Sequence, residues 1–339
     1  MEMPAFLRSR RSRLRALLLL GVVVALGVLV AAVVLDPRRI GIDPGMPGRS
    51  AAPDEAGWVL AASAPIALTE VAAAAFEGRI WVVGGMDAEG RAVDRVLAYD
   101  PATDSWSDGP PLPVAVHHAA LVADDEGLLL IGGYSGATGR PTDAVWRLGR
   151  DGWLPVAPLP EPRAAGAAAW DGRGQVQYGG GVGPGGVSAS VFTTDGGVWR
   201  SLASLTSPRE HLAATSLGDG GVTFLGGRVG GLEGNLGTVD FVSADGVVGQ
   251  TEDLTTARGG IAAFSAVPFG DCVIGGEGPA GTFGAVECVG AIERTTLPGL
   301  TVPRHGLGAV VVDGRAYALL GGRRPGLTVS DVVEVLDLR

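Results

Sequence analysis

The 339-residue chain contains 26 basic and 36 acidic residues, which gives it a formal net charge of −10 at pH 7. This balance argues against non-specific binding to nucleic acid, because that affinity comes from basic side chains on phosphate groups. All 26 basic residues are arginine, so lysine Schiff-base chemistry is excluded. No cysteine or histidine spacing is typical of a zinc or dithiol redox site, and we predict no metal, no cofactor and no catalytic residue.

The N-terminal 35 residues have the pattern of a membrane anchor. Residues 16–35 read ALLLLGVVVALGVLVAAVVL, an uncharged apolar run long enough to cross a bilayer core of about 30 Å as a helix. Five arginines precede this run and only two follow it closely, which places the N-terminus in the cytoplasm. We therefore predict a basic cytoplasmic tail at residues 1–15, a single transmembrane helix at 16–35, and an extracytoplasmic remainder tethered to the cell membrane.

A cleaved signal peptide is the alternative for this segment. The apolar run is longer than the roughly 7–15 residues of a signal peptide, and the AAVVLDP stretch is a poor cleavage site, which favours a retained anchor. Both interpretations export the rest of the chain. Residues 36–56 are rich in proline, glycine and charge, and we interpret them as a linker.

Pairs of glycines recur through the rest of the chain. They begin at Gly84, Gly132, Gly179, Gly226, Gly275 and Gly321, with steps of 48, 47, 47, 49 and 46 residues. Each pair follows a short apolar stretch, as in RIWVVGG and VTFLGG. A period of about 40–50 residues built from short strands is typical of a β-propeller, in which each repeat forms one four-stranded blade.

The repeat unit resembles the kelch repeat. Residues 93–113 read VDRVLAYDPATDSWSDGPPLP and supply an aromatic–Asp pair at Tyr99 and Asp100, then Trp106 and a proline-rich turn. Trp153 and Trp199 stand at a similar distance from their glycine pairs, whereas the fourth and fifth units lack this tryptophan. The resemblance covers residues 57–339 and implies an all-β fold, a six-bladed kelch-type β-propeller preceded by the one N-terminal transmembrane helix.

Two further features fit a closed ring of blades. The strands before the glycine pairs are rich in alanine and glycine, as in EVAAAAF and RAAGAAAW, which suits inner strands that converge on an axis. The last unit has no tryptophan strand, but residues 56–66, AGWVLAASAPI, contain Trp58. We expect the strand around Trp58 to complete the sixth blade, because this closure removes two exposed sheet edges.

The two cysteines fall on neighbouring strands of the predicted fifth blade. Cys272 lies three residues before a glycine pair, and Cys288 lies on the next strand. Directly opposed residues of an antiparallel pair have Cα atoms about 4.5–5.5 Å apart, a separation that suits a disulfide. Because export permits oxidation, we predict a Cys272–Cys288 disulfide, with two buried thiols as the alternative.

Arginines recur at fixed distances from the glycine pairs. Arg163, Arg209, Arg258 and Arg304 lie 16 or 17 residues before their pairs, and His118 and Glu70 lie near that level in the other two units. Arg228 and Arg323 follow glycine pairs in the fourth and sixth units. Such residues could form a rim around a central pocket, and arginine forks suit carboxylate, phosphate or sulfate groups. The alternative is that each arginine pairs with an acid of a neighbouring blade and holds the ring together.

The four histidines lie near these arginines. His117, His118, His211 and His305 all follow proline-containing turns between blades, and SPREH and VPRHG match the kelch pattern there. A hydrogen-bonded structural histidine is the simpler interpretation of each. We keep His118 among the ligand-binding candidates, which are Arg163, Arg209, Arg258, Arg304, His118, Arg228 and Arg323.

The resemblance implies a binding module more than an enzyme. We expect a membrane-tethered, extracytoplasmic propeller whose loop face binds a protein or glycan, and this ligand could be anionic. The runner-up is an exported carbohydrate-active enzyme. The six-bladed sialic-acid mutarotases are similar in architecture and in their use of Arg, His and Glu. Galactose oxidase is a poorer match, since both cysteines of this chain fall in one hairpin.

Overall fold

A computed structural model describes residues 57–218, 220–290 and 294–339. The predicted cytoplasmic tail, the transmembrane helix and the linker at 36–56 lie outside the described residues. Among the residues that are described, no helix is long and apolar enough to cross a membrane.

The described residues form six antiparallel blades of four main strands each, with one additional short strand in the fifth, and the predicted all-β, six-bladed propeller is confirmed. The first three blades, in chain order, are β2 (Ala72–Phe76), β3 (Arg79–Val83), β4 (Val96–Asp100) and β5 (Ser105–Asp108); β7 (Ala120–Asp124), β8 (Gly127–Ile131), β10 (Val145–Gly149) and β11 (Gly152–Pro155); and β12 (Ala167–Trp170), β13 (Val176–Gly179), β16 (Ser190–Asp195) and β17 (Val198–Ser204).

Blades 4 to 6 repeat this order. They are β18 (Ala213–Thr215), β19 (Gly221–Leu225), β20 (Val239–Ser243) and β21 (Val248–Gln250); β22 (Gly259–Ala266), β23 (Gly270–Gly278), β25 (Val286–Val289) and β26 (Thr295–Leu297); and β27 (Gly308–Val312), β28 (Arg315–Leu319), β29 (Val333–Asp337) and β1 (Val59–Leu60).

Several short strands lie outside the four main strands of each blade. β6 (Val116–His117) pairs with β9 (Tyr134–Ser135), β14 (Val182–Gly183) pairs with β15 (Gly186–Val187), and β24 (Gly281–Thr282) pairs with β23. A single 3₁₀ turn covers Leu232–Gly234.

The inner strands contact one another in a closed circle, β2–β7–β12–β18–β22–β27–β2. Their spacing explains the small residues predicted there. A Cβ added to Gly308 on β27 would lie 2.5 Å from the Cβ of Ala73 on β2, too close for any real contact. The six hydrophobic clusters each fill the space between two adjacent blades, so the core is divided into six layers around the axis.

The outer strand of blade 6 comes from the N-terminal side of the propeller. β1 pairs with β29 in the register Val59↔Val335, and the preceding Trp58 is buried. The indole Nε1 of Trp58 donates to the Pro298 carbonyl oxygen at 2.7 Å, as that of Trp153 donates to the Pro110 oxygen at 3.0 Å. These tryptophans tie the outer strand of one blade to the turn that follows the blade before it.

The predicted disulfide is present. Cys272 on β23 and Cys288 on β25 face each other in register, with their Cα atoms 3.9 Å apart. Both residues are fully buried in the cluster between blades 5 and 6. The bridge therefore links the second and third strands of one blade within the core.

The glycine pairs connect neighbouring blades. The N–H of Gly133 in blade 2 donates to the carbonyl oxygen of Arg163, at the entrance to blade 3, at 2.8 Å. A Cβ on the preceding Gly132 would lie 2.4 Å from that same oxygen, and Gly132 has a φ of +62°. Close approach and left-handed backbone together require glycine here. Equivalent bonds join Gly85 to Val116, Gly181 to Arg209, Gly227 to Arg258, Gly276 to Arg304 and Gly321 to Leu68.

Two pairs are displaced by one residue from the positions expected from the sequence. In blade 3 the connecting pair is Gly180–Gly181, inside the run of three glycines. In blade 6 it is Leu320–Gly321, with φ values of +58° and +93°. Leu320 occupies the left-handed position where the other five blades have glycine. In blade 6 the visible pair Gly321–Gly322 therefore lies one residue after the pair that makes the connection.

The four arginines expected to line the central pocket lie inside the blades. Arg209, Arg258 and Arg304 have no exposed surface, and Arg163 is 3% exposed. Three of them donate to a carboxylate on the third strand of their own blade: Arg209 to Asp240 at 2.8 Å, Arg258 to Glu287 at 3.1 Å and Arg304 to Glu334 at 2.7 Å.

These contacts support the interpretation in which the arginines hold the ring together. The acid belongs to the same blade, however, and it is the arginine backbone carbonyl that reaches the preceding blade. In blade 3 the guanidinium of Arg163 instead lies 5.4 Å from the ring centre of Phe192 and bonds Glu161. A buried guanidinium with these partners is not available to a ligand on the axis.

Blades 1 and 2 have apolar side chains at the two positions that the arginine and its carboxylate partner occupy in blades 4 to 6. Leu68 and Leu97 stand there in blade 1, and both are 1% exposed in one hydrophobic cluster. Val116 and Trp146 stand there in blade 2 and again share a cluster. The fold therefore accepts two apolar side chains or a matched ion pair at this place, and blade 3 combines the two kinds, with the guanidinium of Arg163 over the ring of Phe192.

This comparison predicts the effect of changing the Arg304–Glu334 pair. Arg304→Leu alone leaves the buried Glu334 without its partner and should lower the free energy of unfolding by about 3–5 kcal/mol. The double variant Arg304→Leu, Glu334→Leu copies blade 1 and should recover at least half of this loss. Urea unfolding of both variants measures the two values.

The matched control is Arg315→Leu on the exposed face of β28, whose side chain is 47% exposed. It should change the free energy of unfolding by less than about 0.5 kcal/mol. Additive losses in the double variant would contradict the proposed equivalence of the blades.

Candidate functional site

Six equivalent residues surround the propeller axis where the chain enters each inner strand. They lie two residues after the carbonyl that bonds the glycine pair, and all have left-handed backbone with φ between +52° and +67°. In blade order they are Glu70, His118, Ala165, His211, Gly260 and Gly306. We call these six residues the axial ring.

Backbone hydrogen bonds run around the axial ring from blade to blade. The N–H of each residue donates to the carbonyl of the ring residue in the preceding blade, at 2.8–3.1 Å from His118 through Gly306. The N–H of Val71 closes the circle with a longer bond of 3.4 Å to Gly306. The left-handed conformation turns each peptide toward its neighbour, so the fold itself dictates this backbone geometry.

The side chains of the axial ring are of two kinds. Blades 3, 5 and 6 carry alanine or glycine, and blades 1, 2 and 4 carry Glu70, His118 and His211. Nε2 of His118 lies 3.0 Å from Nε2 of His211 and 3.3 Å from Oε2 of Glu70. Gly306 leaves the room for this arrangement, since a Cβ there would lie 2.7 Å from the Glu70 carboxyl.

The axial ring forms the wall of a small pocket of about 80 Å³ at one end of the channel. The other lining residues are the small or aliphatic residues that follow the ring in each blade, such as Ala119, Gly166 and Leu307. Glu70, His118 and His211 are the titratable side chains of this lining, and each is about 10% exposed. A polar, chemically reactive cluster therefore faces an otherwise apolar cavity.

A second layer of side chains orients the two ring histidines. Nδ1 of His211 lies 2.9 Å from Oε2 of Glu210, so His211 donates through Nδ1 and its Nε2 keeps a lone pair. Nδ1 of His118 faces Nδ1 of His117 at 2.5 Å. The His117 ring is stacked on Tyr134, with ring centres 5.2 Å apart.

Acids and arginine of blades 4 and 5 extend this network. Arg228 bonds Glu277 at 2.7 Å and lies 3.4 Å from Glu210, which links the blade 4 and blade 5 loops. The side chain of Glu277 also accepts the Gly326 N–H from blade 6 at 2.9 Å. Arg228 is thus at the pocket end of the propeller, but its guanidinium is engaged by two carboxylates.

His305 joins blade 6 to Glu70. Its Nε2 lies 3.1 Å from the Arg324 carbonyl oxygen, to which it donates. Its Nδ1 lies 3.5 Å from Oε1 of Glu70. The Glu70 carboxylate is therefore placed between histidines from blades 2 and 6.

The pocket sets the protonation of its groups. Burial lowers the pKa of His118 to about 3 despite the nearby Glu70, so this imidazole is neutral at pH 7. Burial by itself would raise the pKa of Glu70, but the histidines and Arg228 around it outweigh burial and hold the pKa at about 2. The site thus combines an ionised carboxylate with a neutral imidazole at 3.3 Å.

The structure separates the candidates predicted from the sequence. His118 lines the pocket, and Arg228 lies in the adjoining layer. Arg323 is exposed on the loop after the glycine pair of blade 6, next to Arg324, whose carbonyl oxygen accepts a hydrogen bond from His305. The other four, Arg163, Arg209, Arg258 and Arg304, lie within the blades and are not brought together with these.

Glu70 and His211 were not among the candidates, although both belong to the axial ring. The sequence distance to the glycine pair could have separated them from the arginines, because it differs by two or three residues. Glu70 and His118 lie 14 residues before their glycine pairs, and the four arginines lie 16 or 17 residues before theirs. These are two different levels of the propeller, and only the nearer one faces the axis.

Three residues of the axial ring can act together as metal ligands. Glu70, His118 and His211 each offer one ligand atom, and these three atoms lie within 4.8 Å of one another. Their donor set is two imidazole nitrogens and one carboxylate oxygen.

Comparison with known proteins identifies relatives among repeat proteins. The model of the Kelch motif matches residues 67–113. Kelch-like protein terF of Aspergillus terreus is 29% identical over 79% of this chain and 64% of its own length. Kelch-like protein 35 of Mus musculus is 36% identical over 45% of this chain and 26% of its own length. The chain thus spans less than two thirds of the length of these curated relatives.

A solved structure has a similar fold. The structure of YjhT matches with a TM-score of 0.68, over 83% of this chain and 100% of that one. The sequences are only 13% identical, so this similarity concerns the fold alone.

Proposed function

We propose that this chain, which belongs to the kelch-repeat β-propeller family, is a binding module that takes a polar ligand, the end of a glycan, into the pocket bounded by the axial ring. The ligand would enter through the loop face of the propeller that surrounds this pocket. A fold of this family is compatible with either binding or catalysis, so the proposal depends on the site.

One observation carries the proposal. The axial ring needs only small residues, because blades 3, 5 and 6 form it with Ala165, Gly260 and Gly306. Glu70, His118 and His211 adopt the same left-handed backbone, at φ of +52° or +53°, where a non-glycine side chain carries strain. Since the fold does not require them, ligand binding explains why these side chains are there.

The pocket chemistry favours sugar hydroxyl groups. Ionised Glu70 accepts hydrogen bonds, the neutral imidazole of His118 both donates and accepts, and the imidazole of His211 adds a further polar group. The pocket volume of about 80 Å³ lies well below the roughly 300–1,000 Å³ of complete small-molecule sites, so the pocket takes only the edge of a sugar ring with its hydroxyl groups, and the rest of the glycan stays outside. The buried arginines no longer support an anionic ligand, and Arg228 already has two acidic partners.

An enzyme is the second candidate, supported by the carboxylate–imidazole contact at 3.3 Å between Glu70 and His118. An ionised carboxylate beside a neutral imidazole can move a proton between two oxygens of one sugar, as the exchange of anomers requires. This activity is the one that the similarity to sialic-acid mutarotases suggested.

We also propose that the propeller is extracytoplasmic and tethered to the cell membrane by residues 16–35. The apolar run and the arginines before it support this location. The Cys272–Cys288 disulfide adds support, because such bonds persist in oxidising compartments and are rare in the cytosol.

Saturation-transfer NMR with a panel of monosaccharides, sialic acid included, tests the binding proposal on the full chain in detergent. At least one sugar should give transfer signals with the unaltered protein and none with Glu70→Gln or His211→Gln, which remove a charge or a lone pair from the pocket. Glu126→Gln, in the exposed turn beyond the far end of β7, is the matched control and should bind normally.

The same samples separate binding from catalysis. Faster exchange of anomers for the bound sugar, lost in His118→Gln, would favour the enzyme. Binding without faster exchange would favour the module. A panel in which no sugar binds, or in which the pocket variants bind as well as the control, would overturn the proposed site.

Location is tested by fusing a reporter active only outside the cytoplasm after Arg339. The fusion should be active and should fractionate with membranes, because the arginines before residue 16 orient the anchor. A fusion active only in the cytoplasm would contradict export. Fusion protein found entirely in the medium would show that the N-terminal segment is cleaved rather than retained.

A further inference from the structure

We propose that Glu70, His118 and His211 form a site for one divalent transition-metal ion on the propeller axis. The metal would lie at the base of the pocket, with its remaining coordination positions open to the ligand. The inference deepens the proposed function, but it concerns the chain's own residues and is tested without any sugar.

The distances between the ligand atoms fit such an ion. Two atoms bound at about 2.0–2.1 Å to one tetrahedral or octahedral ion lie about 2.9–3.4 Å apart. Nε2 of His118 lies 3.0 Å from Nε2 of His211 and 3.3 Å from Oε2 of Glu70. The three ligand atoms all lie within 4.8 Å of one another, although the residues come from three different blades.

The Nε2 atoms of His118 and His211 also face each other, and one metal ion could bind the lone pairs of both. His211 keeps a lone pair on Nε2, because its Nδ1–H is given to Glu210. Without a metal, His118 must hold its proton on Nε2 and donate it to this lone pair. With a metal, the proton of His118 shifts to Nδ1, where the lone pair of His117 Nδ1 accepts it, and both Nε2 atoms bind the ion.

A supporting layer of the kind found around metal ligands is already in place. Metal-bound histidines usually give their other N–H to a carboxylate or another acceptor, which fixes the ring. Glu210 is the acceptor at Nδ1 of His211, and His117 is in the equivalent position at Nδ1 of His118. Glu210 is in turn held by Arg228.

The ligand set indicates the class of metal and of site. Two imidazoles and one carboxylate suit Zn²⁺ and other late first-row ions better than Mg²⁺ or Ca²⁺. Three protein ligands leave positions free, which is the arrangement of reactive sites rather than of closed structural ones. A bound ion there would polarise a sugar hydroxyl or carbonyl oxygen that enters the pocket.

Cobalt serves as the spectroscopic probe. The full chain, stripped with chelator, is titrated with Co²⁺ and its visible absorption recorded, and Zn²⁺ is then added as competitor. We expect one equivalent of Co²⁺ to bind and one equivalent of Zn²⁺ to displace it. Glu70→Gln and His211→Gln should abolish stoichiometric binding, and Glu126→Gln should leave it intact.

The supporting layer gives a graded prediction. Glu210→Gln keeps all three ligands but weakens the hold on the His211 ring, so it should lower the affinity by about 10- to 100-fold. Unchanged affinity in both ligand variants, or the absence of stoichiometric Co²⁺ binding by the unaltered chain, would overturn the proposal.

A second measurement covers variants that fail to fold. Long-range ¹H–¹⁵N spectra of the unaltered chain with ¹⁵N-histidine resolve the four imidazoles, and one equivalent of Zn²⁺ should shift the Nε2 signals of two of them together. These must be His118 and His211, while His305 should keep its Nε2–H. A different pair, or no change, would rule out the site. Since no sugar is present, failure of sugar binding leaves this result unaffected.

Discussion

The crowding of six inner strands at the axis determines the rest of this structure. Neighbouring inner strands come so close that a Cβ on Gly308 would lie 2.5 Å from Ala73, and the chain enters each strand through a left-handed residue. Small residues therefore meet every requirement of the fold at the axis. Glu70, His118 and His211 stand out against this background because they are large, ionisable and strained. The site is recognised by comparing equivalent blades of one chain.

The same comparison separates structural charges from functional ones. The ion pair of Arg304 and Glu334 occupies a place that Leu68 and Leu97 fill in blade 1, so an ion pair is only one of the ways to fill this buried gap. Desolvation makes such a pair costly to break, but two apolar groups can replace it. In the axial ring the other three blades have only alanine or glycine, so no large apolar side chain takes the place of Glu70, His118 or His211. The charges of Arg304 and Glu334 therefore belong to the packing of the blade, whereas those of the axial ring are available for ligand chemistry.

The sequence predicted the fold further than it predicted the site. The even spacing of glycine pairs follows from blade-to-blade hydrogen bonds that no other residue type accommodates well, so the blade number could be read directly. The disulfide followed from strand register. The arginines were placed wrongly with respect to the pocket because they lie two or three residues further from their glycine pairs than Glu70 and His118, at a different level of the propeller. The axial ring escaped notice because its left-handed residues are glycine in only two blades, and nothing local marks the others.

The unfolding free energy of the triple variant Glu70→Gly, His118→Gly, His211→Gly tests the central claim most directly. This variant gives blades 1, 2 and 4 the ring residue of blades 5 and 6. Glycine relieves backbone strain of about 1 kcal/mol or more at each left-handed position, although it also loosens the unfolded chain. The account predicts that the variant is as stable as the unaltered protein or more stable. A loss of about 3 kcal/mol or more would contradict it, because the three side chains would then be holding the propeller together.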